Sequence, residues 1–208
     1  MKKLLILLMA LVMTLSVGYV TLASTIGIGA TEGFQVEVGK IVSPSDADDN
    51  VYLTGYYGLD EKTLFYLDYA SDSKDITLKA RYAFAENMAA TLYYYMPDAK
   101  NEDNTITLGF RYKAEISKPL ALVGVLEYTD TDPDAKIEFI GQAEYSFNDM
   151  VVGTLGFDFI DDGDTNGTDI ILGIETYPTE KLCIYLDYAI LDDEDADNTA
   201  YLGVCYAF

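Results

Sequence analysis

The chain has 208 residues, a formal net charge of -22 at pH 7, and hydrophobic side chains at half of its positions. Such an acidic chain would repel nucleic-acid phosphates, and its apolar half sets it apart from a disordered polymer. It contains no histidine, so the general base of most nucleophilic and hydrolytic sites is missing and no catalytic residue is expected.

The first residues carry a basic pair, Lys2 and Lys3, then an apolar run from Leu4 to Val17, then the small residues Thr21, Ala23 and Ser24. That order is the layout of a secretory signal peptide. The run is short for a membrane-spanning helix, which takes about 20 residues. Residues 1–23 are therefore read as a signal cut after Ala23. A cut after Ala30 is the weaker alternative, because Ile28 is not small. No cysteine lies near the cut, so a lipid anchor is not expected. The mature chain, 24–208, suits one domain.

From residue 34 onward one pattern repeats. Apolar residues alternate with others for about ten residues, a break follows, and the alternation resumes; period two means strand. Twelve strands are predicted, at 34–42, 51–59, 63–70, 76–84, 88–96, 105–114, 120–128, 136–147, 151–160, 168–177, 182–190 and 199–208. The breaks alternate between two kinds. Short turns fall at Leu59 to Lys62, Ala85 to Asn87, Glu115 to Pro119, Asn148 to Met150 and Pro178 to Lys181. Mostly longer, acidic loops fall at Pro44 to Asn50, Ser71 to Asp75, Pro97 to Asn104, Thr129 to Ala135, Asp161 to Gly167 and Leu191 to Asn198. These loops hold nineteen Asp or Glu against two lysines, Lys74 and Lys100.

One hairpin repeats in letters: Tyr66-Leu67-Asp68-Tyr69-Ala70 recurs as Tyr185-Leu186-Asp187-Tyr188-Ala189, and the partner strands end Tyr82-Ala83-Phe84 and Tyr206-Ala207-Phe208. A hairpin repeat with alternating connections predicts an all-β, up-and-down antiparallel barrel. One face of each strand is apolar with aromatics towards the turn end, as in Ile106, Leu108, Phe110 and Tyr112, or Leu202, Val204, Tyr206 and Phe208. That suits a lipid-facing band with an aromatic girdle, crossed by transmembrane β-strands. The opposite face carries ionisable groups, which need water or a partner.

These features resemble bacterial outer-membrane β-barrels of the porin type, found in Gram-negative envelopes. The signal peptide, the even strand count, the turn asymmetry and the terminal strand Tyr201-Leu202-Gly203-Val204-Cys205-Tyr206-Ala207-Phe208 carry the resemblance. By strand count it is similar to the small oligosaccharide porins, but their lumens are strongly lined with arginine and this chain has only Arg81 and Arg111. The resemblance implies residence in the outer membrane, with its lipid as a partner. It also implies Tyr206 and Phe208 as the signal read by the barrel assembly machinery, and transport by passive diffusion of small hydrophilic solutes.

Inward positions then become candidate pore-lining residues. Lys79, Arg81, Arg111 and Lys113 lie on the fourth and sixth strands; Glu127, Glu138, Glu144, Asp158, Glu175 and Asp187 lie on the seventh to eleventh. A basic wall facing an acidic wall would set a transverse field across the pore. Asp68 and Lys136 break that separation. Tyr52, Tyr56, Tyr66, Tyr93, Tyr95, Tyr185 and Tyr201 share the inward face. The alternative is a non-conducting barrel whose inward charges pair, serving a structural or surface-binding role through its acidic extracellular loops.

No cofactor is expected beyond a weak Ca2+ site. Asp162, Asp164 and Asn166 match the start of a calcium loop, but position twelve is Gly173 where an EF-hand needs Glu, so a solvated turn is the plainer reading. Cys183 and Cys205 lie eleven residues either side of Glu194, so a symmetric hairpin sets them opposite each other and predicts a disulfide in an oxidising envelope. A slip of two residues would leave them apart.

Overall fold

The computed structural model describes residues 33–43, 51–99, 102–131, 135–163, 166–192 and 198–208; the expected signal peptide and its cut lie outside them. Period-two alternation gives twelve strands: β1 (Gly33–Ser43), β2 (Val51–Gly58), β3 (Thr63–Ala70), β4 (Ile76–Ala85), β5 (Met88–Met96), β6 (Thr105–Ser117), β7 (Leu120–Asp130), β8 (Lys136–Asn148), β9 (Val151–Asp161), β10 (Asn166–Thr179), β11 (Leu182–Ile190) and β12 (Thr199–Ala207). Each pairs with its chain neighbours, and β1 closes on β12, so the sheet is one closed barrel. All pairings are antiparallel; the seam runs from Gln35 opposite Ala207 to Ser43 opposite Ala200, with a register shift between Ile41 and Ser43. Closure leaves no strand edge with unpaired backbone. Strands about 4.8 Å apart and tilted by about 40° enclose a backbone radius of roughly 12 Å.

Four strands, β4, β6, β8 and β10, run further into their turns than the predicted bounds. The expected break at Glu115 to Pro119 shrinks to Lys118 and Pro119, because β6 continues to Ser117. Three other turns also shorten to two residues: 86–87, 149–150 and 180–181. None of the residues in these four turns has positive φ. The mirror-image turns that usually join tight hairpins therefore do not operate here. A register shift just before each turn supplies the bend instead, at Ala83/Ala85, Glu115/Ser117, Ser146/Asn148 and Thr176/Thr179. Pro178, expected to head a turn, lies inside the last of these bulges. The bulge asks no ladder hydrogen bond of it, so its missing N–H is harmless there.

Leu59 to Lys62 stays a four-residue turn. The Asp60 carboxylate accepts the backbone N–H of Lys62 (2.9 Å) and of Thr63 (2.7 Å). Those bonds hold its carboxyl below the ordinary aspartate range.

Burial runs inside out relative to a water-soluble domain. Large apolar side chains are exposed all round the outer wall, including Leu108 (57%), Leu155 (57%) and Phe147 (64%). Inward residues such as Arg81 (3%) and Val125 (2%) are buried. The predicted face assignment holds on β12, where exposed Leu202, Val204, Tyr206 and Phe208 alternate with buried Gly203, Cys205 and Ala207. At the seam, Phe208 packs on Phe34 at 5.8 Å and on Tyr206 at 5.2 Å, and its N–H donates to the Phe34 carbonyl (3.1 Å).

Candidate functional site: the barrel lumen

Two cavities enter the lumen from opposite ends. One, of about 650 Å³, reaches down from the long-loop end, where Asp72, Ser73 and Asp75 line it. The other, of about 320 Å³, opens at the short-turn end between Ser146, Val152 and Tyr177. They approach within one inward step. On β6, Arg111 lines the first and Lys113 the second. Across β10 and β11, Glu175 lines the second, while its direct partner Tyr185 lines the first. The two cavities abut at this level.

On the other side the turn-end half is filled. Leu64, Arg81, Ala83, Ala89, Thr91, Val123 and Val125, on β3 to β7, are all buried. Any passage at this depth is therefore displaced towards β8, β9, β10 and the seam.

The inward charges form a hydrogen-bonded lattice. Lys79 pairs with Asp68 (2.5 Å) and stands over the rings of Tyr66 (5.4 Å) and Tyr93 (5.0 Å). Arg111 donates to the Tyr93 hydroxyl (2.8 Å), which donates to Glu127 (2.8 Å); Arg111 and Glu127 are themselves 3.8 Å apart. Lys113 pairs with Glu144 (2.7 Å), and Lys136 with Glu138 (2.8 Å). On β1, Glu37 accepts the hydroxyls of Tyr56 (2.6 Å) and Tyr185 (2.5 Å). Tyr177 donates to Glu175.

Of the candidate lining residues, Lys79, Arg111, Asp187 and Tyr95 line the loop-end cavity, and Lys113, Glu144 and Glu175 line the turn-end cavity. Arg81 is buried in the packed arc. Tyr93 and Glu138 belong to the lattice. Asp158 lies opposite Asp169. Separation into a basic and an acidic wall is only partial, because ion pairs bridge neighbouring strands. Lys79 and Asp68 sit on adjacent β4 and β3, and Arg111 and Glu127 on adjacent β6 and β7. Glu37 and Tyr177 are lumen residues absent from the sequence-based set. Glu37 alternates with Val36 and Val38, a period-two signal that was open to reading.

The cysteines require a correction. They do face each other, Cys183 opposite Cys205, so the symmetric register holds. Both are nevertheless free and buried, and the expected disulfide is absent. The Ala207 N–H donates to the Lys181 carbonyl (2.9 Å), which makes those two a hydrogen-bonded pair. Two residues along, Cys183 and Cys205 are again a hydrogen-bonded pair, with Cα atoms about 5.5 Å apart rather than about 4.5 Å. Hydrogen-bonded pairs set their Cβ atoms further apart than non-hydrogen-bonded ones, which is the less favourable geometry for a bridge. Cys205 points instead towards Gln35 Oε1 (3.9 Å).

Of the weak calcium motif, Asp162 and Asn166 are exposed at the β9–β10 connection, and Asp164 lies outside the described residues. Among the described residues no three potential ligands gather around a metal position.

A closed twelve-stranded barrel with an apolar outer wall and a charged lumen is the architecture of porin-type barrels, and solved structures share it. The chain superposes on the KdgM porin with a TM-score of 0.63 at 10% identity, over 84% of this chain and 98% of that one. It superposes on the NanC porin with a TM-score of 0.62 at 11% identity, over 85% and 100%. It also superposes on an outer-membrane channel from Pseudomonas putida F1, with a TM-score of 0.56 at 12% identity, over 90% and 100%. At these identities the likeness is one of fold. No protein-family model and no curated protein matches the sequence.

Proposed function

We propose that this protein is an outer-membrane pore through which small hydrophilic solutes diffuse passively. The observation that carries the reading is the pair of cavities lined by charged and tyrosine side chains, entered from opposite ends and abutting at Arg111, Lys113, Glu175 and Tyr185. The exposed apolar belt suits lipid contact, and closure leaves no edge strand, as a bilayer demands. The shared fold with solved porins agrees with this. Export by the predicted signal, and recognition of Tyr206 and Phe208 by the barrel assembly machinery, belong to the same reading.

The packed arc on β3 to β7 favours a second reading, a non-conducting barrel acting through its acidic loops. Planar-bilayer recording of the purified mature protein separates them. The pore gives discrete conductance steps. A barrel that is folded by circular dichroism yet gives no steps under any voltage supports the second reading.

A further inference from the structure

Bases and acids in this lumen are not equivalent in what holds them. Lys79 is held by Asp68, Lys113 by Glu144, and Arg111 by Glu127 and Tyr93. Three carboxylates near the level where the cavities abut have no Lys or Arg within ion-pair distance among the described residues: Glu37, Glu175 and Asp187. Glu37 is bonded by two tyrosine hydroxyls and Glu175 by one. A neutral donor orients a carboxylate without cancelling its charge.

Register gathers the three into one patch. Glu175 is opposite Tyr185, whose hydroxyl reaches Glu37. Asp187 is opposite Gly173, two residues from Glu175 on the same face. A β-carbon at Gly173 would lie 2.4 Å from Asp187 Oδ1, so the glycine lets this carboxylate lie against the wall. Glu37 and Asp187 line the loop-end cavity and Glu175 the turn-end cavity, so the patch spans the level where the two cavities abut. The packed arc crowds any passing solute towards that side.

We propose that the lumen selects for cations, with Glu37, Glu175 and Asp187 as its specificity-determining residues. The solutes favoured are small cations and neutral polar molecules, and anions are disfavoured. Charge lining a narrow, low-dielectric passage acts on ions far more strongly than charge on an open surface. The inference rests on the lumen conducting.

The test is a reversal potential across a KCl gradient in a planar bilayer. The unmodified protein should prefer K+ over Cl- by about threefold or more, in line with charged pore linings. The triple variant E37Q, E175Q and D187N should lose at least half of that preference while still conducting. D187N alone removes a carboxylate that makes no side-chain hydrogen bond among the described residues, so its expected partial loss remains measurable if the triple variant fails to fold. E102Q with D103N, in an exposed loop, should leave the potential unchanged in high salt. Absence of conductance overturns the pore and the selectivity together. Conductance with no preference, or with Cl- preferred, overturns the selectivity alone. So does a preference that vanishes with the loop variant and survives D187N.

Discussion

A β-carbon on Gly203 would lie 2.1 Å from Cζ of Tyr185, and one on Gly39 3.1 Å from its hydroxyl. The ring lies against the wall only because those positions carry no side chain, and from there its hydroxyl holds Glu37. Gly203→Val should therefore push Tyr185 off the wall and cost about 1–3 kcal/mol by overpacking. Denaturant unfolding in detergent, followed by tyrosine fluorescence, measures it; an unchanged midpoint would show that the ring has room elsewhere. At the turn end, Asp60 has a carboxyl lowered by the N–H groups of Lys62 and Thr63. Its contribution is present above the unfolded aspartate pKa and is lost as pH falls through the lower folded one. Amide exchange at Lys62 and Thr63 should therefore stay protected through pH 5 to 4 and, after correction for intrinsic rates, quicken only below the usual carboxylate range of about 3.9. Quickening already at pH 5 would contradict the bonded carboxylate. The wide spacing of Cys183 and Cys205 predicts two alkylatable thiols after denaturing protein that has never met reductant. Recovery of a bridged species in mass spectrometry would mean that the strands shift enough to bring them together.

At the scale of the strand, β12 has two tasks. It supplies the inner Cys205 and Ala207, and it closes the barrel against β1 through eight residue pairs. Phe208 adds a ring contact with Phe34 and a backbone bond to its carbonyl just beyond the strand. Phe208→Ala should weaken that seam first, lowering the heat-resistant folded fraction seen on unboiled gels more than Phe84→Ala. An equal fraction for both variants would show that the terminal ring has no special place in closure. Phe84 is the matched control because it occupies the same point in the repeated hairpin and packs on Phe110 at 6.1 Å, away from the seam. Strand bounds show what local pattern can and cannot give. β3, β5 and β11 match the alternation residue for residue, because their ends coincide with a loss of pairing. β6 and β10 overrun their predicted ends, because bulges keep Ser117 and Thr179 paired after the apolar period has slipped. A bulge disturbs the alternation without ending the ladder, so Pro178 resembled a turn residue in sequence and proved to be a strand residue in space.

For the whole molecule, an apolar belt around a polar lumen means that lipid and water exchange the positions they have around a soluble domain. A charge on the outer wall should then be costly only in a bilayer. Leu202→Arg, in the middle of β12, should lose about 2–4 kcal/mol of folding stability in vesicles, as lipid-facing arginines near the midplane do. An unchanged stability in vesicles would put the belt outside the hydrocarbon. The sequence by itself determined the strand count, the order of short turns and acidic loops, the antiparallel hairpin plan and which residues face inward, because side-chain direction in a strand follows from parity alone. It also determined that Cys183 would face Cys205, since hairpin symmetry is local. Only the tertiary structure decided how the inward residues divide. Lys79, Arg111 and Lys113 find acids on other strands, whereas Glu37, Glu175 and Asp187 find no Lys or Arg at ion-pair distance among the described residues. It alone decided that the two cysteines occupy the wide, hydrogen-bonded site, and that β3 to β7 fill one side of the lumen. Parity says that a side chain points inward. Its depth, its neighbours across the barrel and the space left between them depend on strand stagger and closure, which no single strand encodes.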